Sequence, residues 1–196
     1  ALIARAGFNS VRIPMRWCAH AEEEPPFALE PEFLARAEWA VQLALGQGLF
    51  AIINVHHYEE LMQDPEAHKS RFLSLWRQIA SHLRSYPPEL LFELLNEPHG
   101  NLTESKWNAL IPEAIGAIRQ TNPDRAILVG PAEWNSVRAL EGLVLPAQEQ
   151  HLIVTIHYYE PFRFTHQGAE WVPGSSDWLG TKWQGTPRER QAIEQD

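Results

Sequence analysis

Asn96 and Glu97, followed by Pro98, close the run Leu90-Leu91-Phe92-Glu93-Leu94-Leu95, so an amide and a carboxylate stand where an otherwise apolar strand ends. Parallel strands covered on both faces read as near-continuous apolar runs, and groups at their carboxyl ends face the loops that bind substrate. A carboxyl group in such a place can donate and recover a proton, and the amide beside it can hold a hydroxyl. Comparable groups mark other apolar segments: His56 and His57 after Val55, Glu133 and Trp134 after residues 126–129, His157 and Tyr159 after residues 152–156, and Arg12 within residues 9–14. Taken singly, each has a structural explanation. A strand-end histidine is commonly a satisfied structural residue. Arg12 has a use as the partner of Glu93, whose carboxylate would otherwise sit uncompensated among leucines. Four successive strands ending in hydrogen-bonding or ionisable groups are harder to attribute to folding alone.

These groups need a scaffold, and the pattern between them supplies one. Residues 9–14, 49–55, 90–95, 126–129 and 152–156 read as strands. Glu30-Pro31 opens a helix with Phe33, Ala37, Ala40, Val41 and Ala44 at helical spacing, ended by Gly46 and Gly48. Residues 69–86 carry Phe72, Leu75, Trp76, Ile79 and Leu83 on one face and stop at Pro87-Pro88. The next stripe, Trp107, Leu110, Ile111, Ala114, Ile115 and Ile118, contains Pro112, where a kink or a fresh helix start is expected. Residues 136–145 suggest a short helix, residues 160–185 a long aperiodic binding loop, and Pro187 opens a last helix towards Asp196. Residues 1–7 read as the final turns of a helix closing on Gly7, so the chain is expected to begin in mid-fold.

Strands alternating with helices indicate an α/β fold with parallel strands. No glycine-rich phosphate loop follows any of them, which removes the usual support for a doubly wound nucleotide-binding sheet. A (β/α)8 TIM barrel is the better fit, here a partial barrel of five βα units corresponding to strands 2 to 6. A whole barrel takes about eight strands in about 250 residues, so roughly three units are expected to lie outside this sequence. The expected organisation is a single partial catalytic domain over residues 1–196, lacking the first and last strands.

Composition narrows the partners. The 196 residues are 44% hydrophobic and 21% charged, with a formal net charge of −9. Without a basic cluster the chain is a poor match for nucleic acid or an anionic membrane, and a neutral polar ligand is more compatible. The single cysteine, Cys18, rules out an internal disulfide and a multi-cysteine metal site. No apolar run approaches the roughly 18 residues of a membrane-spanning helix.

Four strings together, Val11-Arg12-Ile13-Pro14, Asn54-Val55-His56-His57-Tyr58-Glu59-Glu60, Leu95-Asn96-Glu97-Pro98 and His157-Tyr158-Tyr159-Glu160-Pro161-Phe162, resemble glycoside hydrolase family 5. Within it they are most similar to the bacterial endoglucanases, as is the segment Phe164-Thr165-His166-Gln167-Gly168-Ala169-Glu170-Trp171. The resemblance implies a retaining β-glycanase acting on cellulose-like or mixed-linkage β-glucans, with mannan or xyloglucan as alternatives. It implies a polysaccharide partner, no cofactor, a monomeric full-length enzyme and an extracellular address. It further implies that Glu97 is the acid/base and that Asn96 holds the sugar hydroxyl beside the anomeric carbon. On the same footing, His56 and His57 bind hydroxyls of the adjacent subsite, and His157 and Tyr159 orient the carboxylates. Arg12 keeps the nucleophile ionised, and Trp171 stacks on a sugar ring, with Trp134 and Trp178 as weaker candidates. Retaining hydrolysis needs a second carboxylate about 5 to 5.5 Å from the first. In this family it is a Glu ending the seventh strand, and no seventh strand is assigned here, so the nucleophile is expected outside the chain and the 196 residues alone are expected to be nearly inactive.

Two other classes compete. A metal-dependent hydrolase could use His56, His57, His157 and Glu97 as ligands, although adjacent residues of a strand point to opposite faces. A non-catalytic carbohydrate-binding protein would keep the aromatic loop, but has no need of Glu97.

Overall fold

The computed structural model describes residues 1–195 and divides into two compact units, residues 1–156 and a second beginning at His157. The end of the expected C-terminal helix, Asp196, lies outside the described residues. In the first unit a short helix α1 (Leu2–Arg5) precedes five strands: β1 (Ser10–Met15), β2 (Phe50–Val55), β3 (Leu90–Glu93), β4 (Ile127–Val129) and β5 (Leu152–Val154). They form one parallel sheet in the order β1-β2-β3-β4-β5. Each strand pairs with its successor, the order of a barrel wall and not of a doubly wound sheet, whose strand order reverses. The sheet is not closed, so the architecture is a partial (β/α) barrel.

The helices cover the outer face. α2 (Pro31–Leu45) follows β1 and buries Ala37, Val41 and Ala44. After β2 comes a single turn, α3 (Glu59–Gln63), and then α4 (Pro65–His82); α5 (Glu104–Arg119) follows β3. The α4 face Phe72, Leu75, Trp76 and Ile79 and the α5 face Trp107, Ile111, Ala114 and Ile118 are buried against the strands. Three fully buried indoles tie the core to strand ends: Trp17 Nε1 donates to the Asn54 carbonyl at 3.0 Å, Trp76 Nε1 to Leu94 at 3.0 Å and Trp107 Nε1 to Gly130 at 2.8 Å. Each ring adds apolar area while its one polar atom finds a carbonyl acceptor at a strand end.

The guanidinium of Arg71, on α4, donates to the carbonyls of Cys18, Ala21 and Glu22 at 2.7 to 3.0 Å, and Gln78 holds Leu29 N–H and Phe27 C=O. The loop after β1 is thus bolted to α4. At the opposite end of the sheet, Arg125 donates to the carbonyls of Tyr86, Pro87 and Leu90.

Several elements differ from what the sequence pattern predicts. The helix expected over 69–86 begins earlier, because Asp64 caps it by accepting from Ala67 N–H at 3.1 Å and Pro65 takes the first helical position. Pro112 sits inside one helix and starts no new one, since the stripe on either side of it is buried as a unit. α3 was not anticipated. The short helix expected over 136–145 is a 3-10 helix confined to Val137–Gly142. In the second unit, residues 160–185 are less irregular than expected: Phe162–Thr165 is helical, Ser175–Trp178 is a 3-10 turn, and Gln167 ties them together through Phe164 O, Thr181 O and Gly180 N. The last helix, Pro187–Glu194, opens on a capping box of Thr186 and Glu189.

Candidate functional site

The site grows from the carboxyl ends of β1 to β4. Arg12 on β1 donates through Nε to Glu93 Oε2 at 2.5 Å and through Nη2 to Glu93 Oε1 at 2.7 Å. Glu93 ends β3 and is 1% exposed, so this two-point clasp supplies the counter-charge that a buried carboxylate needs. The same Nη2 donates to Asn96 Oδ1 at 2.8 Å. A guanidinium only donates, so the Asn96 oxygen must face it, and the Nδ2 amine is the group Asn96 offers elsewhere.

Strand pairing continues past the last formal ladder residues. His56 N–H donates to Met15 O and Asn96 N–H to Val55 O, both at 2.9 Å, which locks the three strand ends to one another. Beyond that lock the backbone turns sharply. His57 has φ of 52° and Glu97 of 51°, left-handed values that non-glycine residues seldom adopt and that recur at functional sites. At His57 the turn breaks strand alternation, so the two histidines do not point to opposite faces as expected: their rings lie 4.3 Å apart, edge to face.

Glu97 is held from behind by His99, whose Nδ1 lies 2.6 Å from the Glu97 carbonyl oxygen. The His99 ring stacks on Trp134 at 5.0 Å and 11°, and its Nε2 lies 3.5 Å from Glu59 Oε2. Glu59 Oε1 is in turn 3.8 Å from His57 Nδ1. Trp134 belongs to a run of three left-handed residues, Glu133, Trp134 and Asn135, and its N–H donates to Pro98 O at 3.1 Å. The run follows Gly130, where an added Cβ would collide with the Asn135 side chain. Trp134 is 55% exposed and presents a flat apolar face beside the Glu97 loop.

Arg12, His56, His57, Asn96 and Glu97 therefore all lie at the strand-end face of the first unit. His157, Tyr159 and Trp171 belong to the second unit. There the His157 and Tyr159 rings meet at 6.3 Å and 90°, Tyr159 is 5.1 Å from His166, and Trp171 is 78% exposed. Among the described residues no group of three or more His, Cys, Asp or Glu side chains is placed to hold a metal ion.

Two residues of the site escaped the sequence reading. His99 directly follows Asn96-Glu97-Pro98 and is the more accessible omission. Asn54 is a wholly buried amide within an otherwise apolar strand, and that anomaly was the available signal.

The family model described as cellulase, glycosyl hydrolase family 5, matches residues 1–192. Endoglucanase H of Acetivibrio thermocellus is 36% identical over 188 residues, covering 96% of this chain and 19% of that protein. Among solved structures, Thermotoga maritima Cel5A in complex with mannotriose and with cellobiose is 52% identical, with a TM-score of 0.95. That match covers 99% of this chain and 63% of Cel5A. The cellulose synthase subunit Z of Clostridioides difficile is 37% identical, with a TM-score of 0.94, over 98% of this chain and 64% of its own. The chain thus spans less than two thirds of the relatives it matches.

Proposed function

Because the chain belongs to glycosyl hydrolase family 5, the cellulases, we propose that it carries the acid/base half of a retaining β-glycosidase that cuts β-1,4-glucan chains by double displacement. The observation that carries this reading is the clamp on Asn96: Arg12 fixes the amide oxygen, so Nδ2 is presented as a donor beside Glu97. A donor next to the anomeric centre holds a sugar hydroxyl, a contact that strengthens as the ring becomes oxocarbenium-like. Glu97 then protonates the bridging oxygen as the bond breaks and, in the second half-reaction, takes a proton from the attacking water. The nucleophile is a second carboxylate of the intact enzyme. Glu93 is unsuited to that part, since both its oxygens are occupied by Arg12.

Around this centre, His56 and His57 bind hydroxyls of the neighbouring sugar and Trp134 offers a ring face; Trp171, in the second unit, presents an exposed indole suited to a sugar ring. Arg12 also helps to keep the nucleophile ionised. The 196 residues act as part of a larger catalytic domain, a reading supported by the open sheet and by the share of Cel5A they cover. The substrate is a neutral polysaccharide, met outside the cell because such polymers do not enter intact, and the enzyme works as a monomer without a cofactor. No helix among the described residues is long and apolar enough to cross a membrane. A second substrate class has a specific observation behind it: the Cel5A structure with mannotriose, at 52% identity, favours β-mannan alongside β-glucan.

Glu97→Gln in the protein as its gene encodes it tests the proposal. Hydrolysis of a β-1,4-glucan should fall about 10²- to 10⁴-fold while oligosaccharide binding survives. Undiminished hydrolysis would overturn the assignment, and binding without hydrolysis by the unaltered enzyme would favour a carbohydrate-binding protein.

A further inference from the structure

We infer that Asn54 sets the tautomer of His56, so that His56 meets its ligand as a hydrogen-bond donor through Nε2. Asn54 is fully buried within β2. Its Oδ1 accepts the main-chain N–H of Met15 at 3.3 Å, and its Nδ2 lies 3.1 Å from His56 Nδ1. A backbone N–H can only donate, so the atom facing Met15 is the amide oxygen, and the side chain cannot be flipped without setting two donors against each other. The atom facing His56 is therefore the NH2 group, which has no lone pair to offer. His56 Nδ1 must supply the lone pair, and the ring hydrogen resides on Nε2.

Met15 anchors both partners: its N–H holds the Asn54 oxygen, and its carbonyl accepts the His56 main-chain N–H at 2.9 Å. The Trp17 indole pins the Asn54 carbonyl as well. The amide and the imidazole thus meet at a separation set by the β1–β2 ladder and not by side-chain chance. His99 is the opposite case, because its Nδ1 faces the Glu97 carbonyl, an acceptor only, and must carry a hydrogen. Two histidines of one site are thereby assigned different atoms for their hydrogens by their neighbours.

The consequence for binding rests on the proposed function. A sugar oxygen reaching the Nε2 edge of His56 is met by a donor, so the hydroxyl engages through its lone pair and keeps its own hydrogen for another acceptor. Asn54 is in this sense a positioning residue: it acts on substrate through His56.

The test uses the protein as its gene encodes it, labelled with 15N at histidine, with His56 and His99 assigned through the signals lost in His56→Gln and His99→Gln. Long-range proton–nitrogen spectra should show His56 Nδ1 as pyridine-like and Nε2 as protonated, with His99 Nδ1 protonated as an internal reference. A protonated His56 Nδ1 in the unaltered protein overturns the inference, and this measurement requires no Asn54 variant to fold. Asn54→Asp keeps an acceptor for Met15 N–H and turns a carboxylate oxygen towards His56, so the hydrogen should move to Nδ1; a pyridine-like Nδ1 in that variant also overturns it. With the tautomer inverted, kcat/KM on β-1,4-glucan should fall about tenfold, the weight of roughly one hydrogen bond. An unchanged kcat/KM would refute the positioning role. Failure of the glycosidase reading leaves the spectra as stated, and failure of the spectra leaves the Glu97→Gln result as stated.

Discussion

Arg12 and Glu93 are joined by two parallel hydrogen bonds, of 2.5 and 2.7 Å, across the width of an intervening strand. One guanidinium thereby neutralises a buried carboxylate and, through Asn96, orients the amide beside Glu97. Charge compensation in the core and alignment at the mouth are consequently the same interaction.

Removing that guanidinium should cost both stability and activity. Arg12→Ala strands Glu93 without a counter-charge, and breaking a buried pair from one side typically costs about 3 to 5 kcal/mol. Urea unfolding should record that loss, and Arg12→Lys should recover little of it, because an ammonium cannot reproduce the forked geometry. Arg12→Ala with unfolding unchanged would show that Glu93 is compensated by other means.

His99 should matter for catalysis without touching substrate. Its Nδ1 secures the left-handed Glu97 main chain and its ring backs Trp134. Losing one hydrogen bond and one aromatic stack should lower kcat/KM about tenfold in His99→Ala. His99→Asn, which retains a donor near the Glu97 carbonyl, should restore kcat more than KM, as the ring support for Trp134 is still missing. Equal recovery of both would argue against separate roles for the two contacts.

Alkaline stability follows from Tyr58. Burial is the main cause that pushes its hydroxyl up to about 12, from an ordinary value of 10.0. The folded state thus holds this proton more tightly than the unfolded state, so the contribution is fully present below about pH 10 and is lost as pH rises towards the folded value. Urea midpoints should decline over that window, and Tyr58→Phe should flatten the decline. Cys18 and Tyr86, also pushed up chiefly by burial, should leave a residual slope. An identical slope in the Phe variant would remove Tyr58 as a cause.

Chelation should be without effect. Double displacement by two carboxylates, as proposed, calls on no cation. Hydrolysis by the intact enzyme should be the same before and after exhaustive treatment with a chelator, and loss restored by zinc would reinstate a metal-dependent reading.

What could be read in advance followed from patterning that acts locally. β2 and β3 were legible because β-branched and apolar runs report strands buried on both faces, and the Arg12–Glu93 pair because a charged residue among leucines demands a partner. The single helix through Pro112 was not legible, since tertiary burial of its apolar face outweighs the local cost of a proline. Nor were the left-handed residues His57, Glu97 and Glu133 to Asn135. No propensity signals a positive φ at glutamate or tryptophan, and the enrichment at histidine and asparagine is too slight to mark a position; those backbones are imposed by contacts such as His99 to Glu97 and Trp134 to Pro98. Asn54 does not stand out, because an apolar run with one amide still reads as a strand.

The fit of Gly130 against Asn135 has a bearing on how such a loop can diversify. Any side chain at 130 runs into the Asn135 carboxamide, and Asn135 is itself held at a φ of 57°, where glycine is the least strained replacement and β-branched residues are barred. Neutral drift is therefore ordered: position 135 has to shrink before position 130 can grow, and the reverse sequence passes through a clash. The two sites are epistatic by geometry, and a mutant library that randomises them independently will discard most of its members.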